Sequence, residues 1–217
     1  MLKGVIFDMD GVLIDSHPIH KRAWRKFFET LEVEVSDREL DFVLDGRKKE
    51  DILRHFLGDL PDSEIKHFGH QKEMLFREEA MNIEPISGVM DLLRELTNEG
   101  IAVAVASCGS HSRVRYILDQ LKIVDWFEAI ITADDIRHGK PDPEVFCRAA
   151  DCLGAQRGEL IVCEDAVSGV KAAKSAGIRC LGVGEPNRAA ELLEAGADRV
   201  VADFASISVA ELETILA

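Results

Sequence analysis

Short apolar runs recur along the chain at residues 5–7, 102–106, 129–132, 160–163 and 180–183, with a weaker one at 199–201. Their continuous character, without polar alternation, predicts strands buried on both faces, as in a parallel sheet. Between them lie amphipathic stretches of helical period at 89–98, 111–121, 143–153 and 168–176, and Gly100, Gly154 and Gly177 fit helix C-termini. Strand alternating with helix predicts an α/β fold, a doubly wound parallel sheet. A last helix at 209–216 reads as structural.

One interval breaks the alternation. From residue 16 to 82 no β-rich run occurs, only helical patterns at 17–31, 38–44, 50–57 and 62–80. Roughly 65 residues of helix between the first two strands far exceeds a normal crossover. The pattern therefore divides the chain into an α/β core, 1–15 plus 83–217, and a small inserted helical domain, 16–82, placed at the C-terminal edge of the sheet where such folds bind ligands. Residues 13–16 and about 81–85 are the expected hinges.

Composition narrows the partners. The 217 residues are 47% hydrophobic, which excludes disorder, and 40 acids against 26 bases give a formal charge of −14. Nucleic acid is not an expected partner, since binding it needs a clustered basic face. An anionic substrate has to be held by a few local bases or a bound cation. Five scattered cysteines show no metal-ligand spacing and fit a reducing cytoplasm, with all but Cys108 packing as small hydrophobes. Acids interrupt the N-terminal apolar stretch before a signal core forms, and no run could span a membrane. A cytoplasmic monomer is expected.

Candidate chemistry collects where the strands end. Asp8 and Asp10 close the first strand on one side, ahead of Gly11, where two carboxylates are best tolerated around a divalent cation. Ser107 follows the second strand, with Cys108 and Gly109 offering backbone N–H groups to a phosphate. Lys140 follows the third, in a loop with two prolines, and Glu164 and Asp165 follow the fourth. Singly these also fit a solvated turn, a cap residue, a loop lysine and favourable helix N-terminal charges. Four successive strands nevertheless set acid, hydroxyl, lysine and acid on one edge.

On these residues, DMDGV at 8–12, Ser107, Lys140 and Glu164–Asp165, the sequence resembles the haloacid dehalogenase superfamily over essentially its whole length. With His20 and Trp24 in HPIHKRAW it is most similar to the β-phosphoglucomutase-like branch of phosphatases and phosphomutases. The resemblance implies phosphoryl transfer through a phospho-aspartate. Asp8 is then the nucleophile and Asp10 the general acid and base. Mg²⁺ is held by Asp8, Asp10 (also through its carbonyl), Asp165 and Glu164, while Ser107, Lys140 and the Cys108–Gly109 backbone cradle the phosphate. His20 and Trp24, sharing a helix face, either align the insert as a closing cap or pack in its core. Gly46, Arg47, Lys48 and Lys49 form the insert's dense basic patch, at the place of the substrate loop.

The branch's mutases carry arginine where Lys49 stands and threonine where Ser16 stands, and lysine lacks arginine's bidentate fork. The reading this leaves is a phosphatase of a small phosphosugar or similar phosphomonoester. The alternatives are a mutase interconverting β-glucose 1-phosphate and glucose 6-phosphate, a dehalogenase, and a non-catalytic binding module. The other histidines, His17 among them, receive no role.

Overall fold

A computed structural model describes all residues 1–217. Six parallel strands, β1 (Gly4–Phe7), β2 (Ala102–Ala106), β3 (Ala129–Ile131), β4 (Leu160–Glu164), β5 (Arg179–Val183) and β6 (Arg199–Val201), form one sheet in the order β3-β2-β1-β4-β5-β6. Each strand end agrees with the apolar runs to within one residue at either side. Because β1 pairs with both β2 and β4, the order in which strands are added reverses across it while all stay parallel. That is the crevice where doubly wound sheets place ligands. Register fixes what meets there: Phe7 lies opposite both Val105 and Cys163, which brings Asp8 level with Ala106 and Glu164.

The strands alternate side chains between two apolar layers. Val5, Phe7, Val103, Val105 and Ile161 pack on one face with α5 (Val89–Asn98), α6 (His111–Leu121) and the C-terminal helix Val209–Leu216. Ile6, Ala104, Leu160 and Val162 pack on the other with α7 (Glu144–Leu153) and α8 (Val167–Ser175). The C-terminal helix buries Val209 and Leu212, in line with a structural part. A helix at Ala189–Ala195 was not expected from the pattern; it buries only Leu192 and so carries almost no apolar period. The cysteine expectation needs one correction. Cys163 and Cys180 are buried and Cys147 half-buried, but Cys152 is exposed on the outer face of α7.

Between β1 and β2 run α1 (His17–Thr30), α2 (Asp37–Asp41), α3 (Lys49–Leu57) and α4 (Asp62–Glu79). The single helix expected at 38–44 is a capped turn of α-helix followed by a 3₁₀ turn at Phe42–Leu44. These helices have their own apolar cluster of Trp24, Phe27, Phe28, Leu40, Ile52 and Ile65. Ile19, Ala23 and Phe76, near the linkers, join the cluster beneath the sheet instead. The two linkers are bonded to each other: the Asp15 N–H donates to the Glu84 carbonyl at 3.2 Å, and the Ile86 N–H to the Leu13 carbonyl at 3.0 Å.

Candidate active site

At the end of β1 the Asp8 N–H still donates to the Cys163 carbonyl, 3.0 Å away, so its carboxylate is fixed by the sheet. Carboxylate oxygens of Asp8, Glu164 and Asp165 all lie within 4.8 Å of one another, and all three residues are buried. Lys140, with no exposed side-chain surface, reaches between them, its Nζ donating to Asp8 Oδ1 at 2.5 Å and Glu164 Oε2 at 2.7 Å. The other Glu164 oxygen accepts the N–H groups of Asp165 and Ala166 at 3.2 and 3.0 Å.

Burial pushes the Asp8 carboxyl up to about 7 despite Lys140, and also raises Glu164 and Asp165. Lys140 shows the converse: burial opposes its charge, but Asp8 and Glu164 hold the ammonium well above its ordinary value. One lysine faces three clustered carboxylates. Asp165 Oδ2 is buried and accepts no hydrogen bond, although His17 Nε2 stands 2.9 Å away. Three buried carboxylates facing one lysine present an oxygen donor set that fits a hard divalent cation such as Mg²⁺, with His17 beside it at Asp165 Oδ2. Gly11 keeps the space open, because it has φ +75° and a Cβ there would lie 2.5 Å from Asp165 Oδ2.

Asp10 departs from expectation. Its side chain does not join the carboxylate cluster but turns toward the helical insert. Ser16 Oγ donates to Oδ1 at 2.6 Å, His20 Nε2 lies 3.1 Å away, and the Arg113 guanidinium grips both oxygens at 3.1 and 2.8 Å. Burial alone would raise Asp10; Arg113 and His20 reverse this and hold it well below the usual carboxylate range. His20 is pushed down to about 3 by burial and by Lys72, whose Nζ is 2.9 Å from Nδ1. The neutral ring stands between two cations, with Lys72 at Nδ1 and the Arg113 Nη1 donor 2.6 Å from Nε2, and Nε2 also lies beside Asp10 Oδ1. Lys72 is itself lowered to about 7, by burial and by Arg113.

Ser107 is buried, its Oγ accepting the Gly109 N–H at 3.0 Å. Ser107, Cys108 and Gly109 line the same cleft as Asp8, Asp10 and Asp165, and the insert closes it with His20, Trp24, Gly46, Arg47 and Lys49. Trp24 packs in the core of the insert, stacked on Phe28 at 5.4 Å, with Lys72 Nζ 5.1 Å from its ring. Arg47 is committed to Asp45 at 3.1 Å and to the Phe42 ring at 4.6 Å. Lys48 crosses to the other side, donating to the Ala133 and Ile136 carbonyls at 3.0 Å each.

Sequence reasoning missed Arg113, Lys72 and the contact of His17 with Asp165. A signal existed for the first two. Arg113 stands four residues before Ile117 on the buried stripe of α6, and Lys72 four before Phe76 on that of α4. A cation on an apolar stripe asks for a buried partner.

The model of haloacid dehalogenase-like hydrolases matches residues 5–183. The β-phosphoglucomutase of Bacillus subtilis (strain 168) is 34% identical over 85% of this chain and 84% of its own. A phosphorylated carbohydrates phosphatase of Thermotoga maritima is 31% identical over 92% of this chain and 94% of its own. The crystal structure of a β-phosphoglucomutase from Clostridium difficile superposes with a TM-score of 0.89 at 25% identity, covering 100% of this chain and 97% of that one. A strand order and a cleft built as described above, under a family match of this span, make the chain a member of the haloacid dehalogenase-like hydrolases, in their β-phosphoglucomutase-like branch.

Proposed function

We propose that the protein is a Mg²⁺-dependent phosphatase of a small phosphorylated, hydroxyl-rich metabolite, working through a phosphoryl group carried on Asp8. The observation that carries this is the division between two neighbouring carboxylates. Asp8 belongs to the cation-type cluster with Glu164, Asp165 and Lys140, whereas Asp10 belongs to a proton-handling network with His20 and Ser16. Phosphoryl transfer needs one group for phosphorus and another for the leaving oxygen.

Asp8 attacks phosphorus and the bond to the leaving oxygen breaks; Asp10, ionised while Arg113 and His20 hold it, has to take up a proton as substrate enters and passes that proton to the leaving oxygen. Water then gives a proton to Asp10 and displaces phosphate from Asp8, restoring both carboxyls. Asp8, Asp165 and the Asp10 carbonyl would hold the cation, with Glu164 bound directly or through water. When bound, it offsets the repulsion between Asp8 and the phosphate dianion. Lys140 neutralises the same charge from below, while Ser107 and the Cys108–Gly109 backbone orient the phosphate oxygens. Residues 16–82 act as the cap that covers the cleft and excludes bulk water.

Hydrolysis is favoured over a mutase by the cap face of the cleft. Glu50 Oε2 and Glu73 Oε1 are buried there without hydrogen-bond partners, while Arg47 has Nη2 turned to Asp45 and its Nε unpartnered. Unpartnered carboxylate oxygens accept sugar hydroxyls but repel a second phosphate. The test is incubation with Mg²⁺, β-glucose 1-phosphate and a catalytic amount of the 1,6-bisphosphate, alongside a panel of sugar phosphates. Phosphate release is the expected outcome. Glucose 6-phosphate formed without matching phosphate would overturn it in favour of the mutase.

A further inference from the structure

Arg113 has no place in the chemistry above, yet it is the most committed cation in the cleft. It stands in the first turn of α6 and is 6% exposed. Its guanidinium makes a two-pronged contact with Asp10, at 3.1 Å to Oδ1 and 2.8 Å to Oδ2, and Nη1 lies 2.6 Å from His20 Nε2. The Phe76 ring of α4 covers it from the cap side, with its centroid 5.1 Å from Cζ. The core side is shaped for it as well. A Cβ on Gly109 would come within 2.2 Å of Nη2, so the guanidinium occupies the room that this glycine leaves. Gly109 does not need to be glycine for its backbone, since its φ is not in the left-handed region.

Asp10 lies two residues from Asp8 at the end of one strand, where both carboxylates were expected to face the cation. The fork from α6 is what draws Asp10 the other way. Bidentate arginine contacts fix the plane of a carboxylate as well as its position. We infer that Arg113 is the positioning residue for Asp10, holding its carboxyl on the cap side of the cleft, where the leaving oxygen stands, and away from the carboxylate cluster around Asp8. The inference rests on the proposed role of Asp10 as acid, and the fork, which favours the ionised carboxyl, has to loosen on one oxygen when Asp10 takes up its proton. Lys72 and His20 complete the surroundings, but neither reaches Asp10 Oδ2, which Arg113 alone contacts.

A group that acts through the leaving-group proton matters for a poor leaving group and little for a good one. Single-turnover transfer should therefore be measured from p-nitrophenyl phosphate and from an alkyl phosphate such as glucose 6-phosphate. The variants are Arg113→Met, Gly109→Ala and Asp10→Asn, with the Arg113→Met/Asp10→Asn pair. Asp10→Asn by itself tests the underlying reading, since selective loss on the alkyl ester identifies the acid. Given that loss, Arg113→Met is expected to slow the alkyl ester on the order of tenfold or more, keep the aryl ester within about threefold, and add nothing in the Asp10→Asn background. Gly109→Ala keeps the arginine but fills its seat; because its N–H belongs to the phosphate cradle it is read by the ratio alone, and the alkyl ester is expected to fall on the order of tenfold further than the aryl ester. Equal losses on both esters, a faster alkyl ester, or an effect that persists without Asp10 would each overturn the inference. A folding defect in Arg113→Met leaves Gly109→Ala to decide the matter.

Discussion

A carboxylate at the end of a parallel strand cannot move far, so its chemistry is set by what the neighbouring strand ends bring to it. Asp8 has the charge of Lys140 on Oδ1 and two more acids within 4.8 Å. Asp8→Asn keeps the shape and removes the nucleophile. The expected outcome is complete loss of turnover with an unchanged circular dichroism spectrum, and retained activity would refute the assignment. The raised carboxyls give a second expectation. Asp8 rises from an ordinary 3.8 to about 7, and Glu164 and Asp165 shift the same way, all through burial first. Between those values the folded protein without a cation keeps protons that the unfolded chain releases, so these groups lower stability as pH rises. His20, pushed down to about 3, contributes in the opposite direction between that value and 6.5. The informative quantity is therefore the rise in Tm on adding Mg²⁺, because a cation competes with protons only at the carboxylate cluster. That rise should be small at about pH 5 and larger at about pH 8. An increment independent of pH would mean that the cation binds elsewhere.

Among the elements, the helical insert is where pattern and structure can be compared most closely. Most helices were legible from an apolar period and the strands from unbroken apolar runs; α5 and α6 coincide end to end with the sequence pattern, whereas 38–44 divides into two short turns. The Ala189–Ala195 helix was not legible, since one buried leucine makes no period. The acids, serine and lysine of the strand ends were readable by position. Their partners were not, because Asp10 and Arg113 are 103 residues apart and only the packing of α6 against the cleft joins them. Trp24 was readable as a core residue of the insert, and it fills that core while also lining the cleft. Replacing it by alanine should cost about 3–5 kcal/mol locally. Since that core is distinct from the two layers of the sheet, amide exchange is expected to accelerate through α1–α4 while β1, β2 and β4 remain protected. Loss of protection everywhere at once would show instead that insert and sheet unfold as a single unit.

For the whole molecule, the balance of apolar and polar contacts decides what can move. Apolar burial joins insert and sheet only near the linkers, through Ile19, Ala23 and Phe76. Farther out, the two are held by polar groups: Lys48 to the carbonyls of Ala133 and Ile136, the Ser168 hydroxyl to the Asp45 carbonyl, and Arg113 and Asp10 to His20. Polar contacts can be exchanged for water at little net cost, whereas packed apolar layers cannot. Substrate entry by rotation about the paired linkers is therefore cheap at the mouth and constrained at the base. Lys48 offers the cleanest probe because it stands apart from the reacting groups. Lys48→Met keeps the stem across Gly139 and removes two hydrogen bonds of about 1 kcal/mol each, shifting the balance between open and closed forms by about thirtyfold. KM for the preferred phosphate ester should rise accordingly, the single-turnover rate at saturation should hold, and the radius of gyration without substrate should increase. If KM and the radius both stay as they were, closure depends on the apolar base and on Arg113 rather than on this bridge.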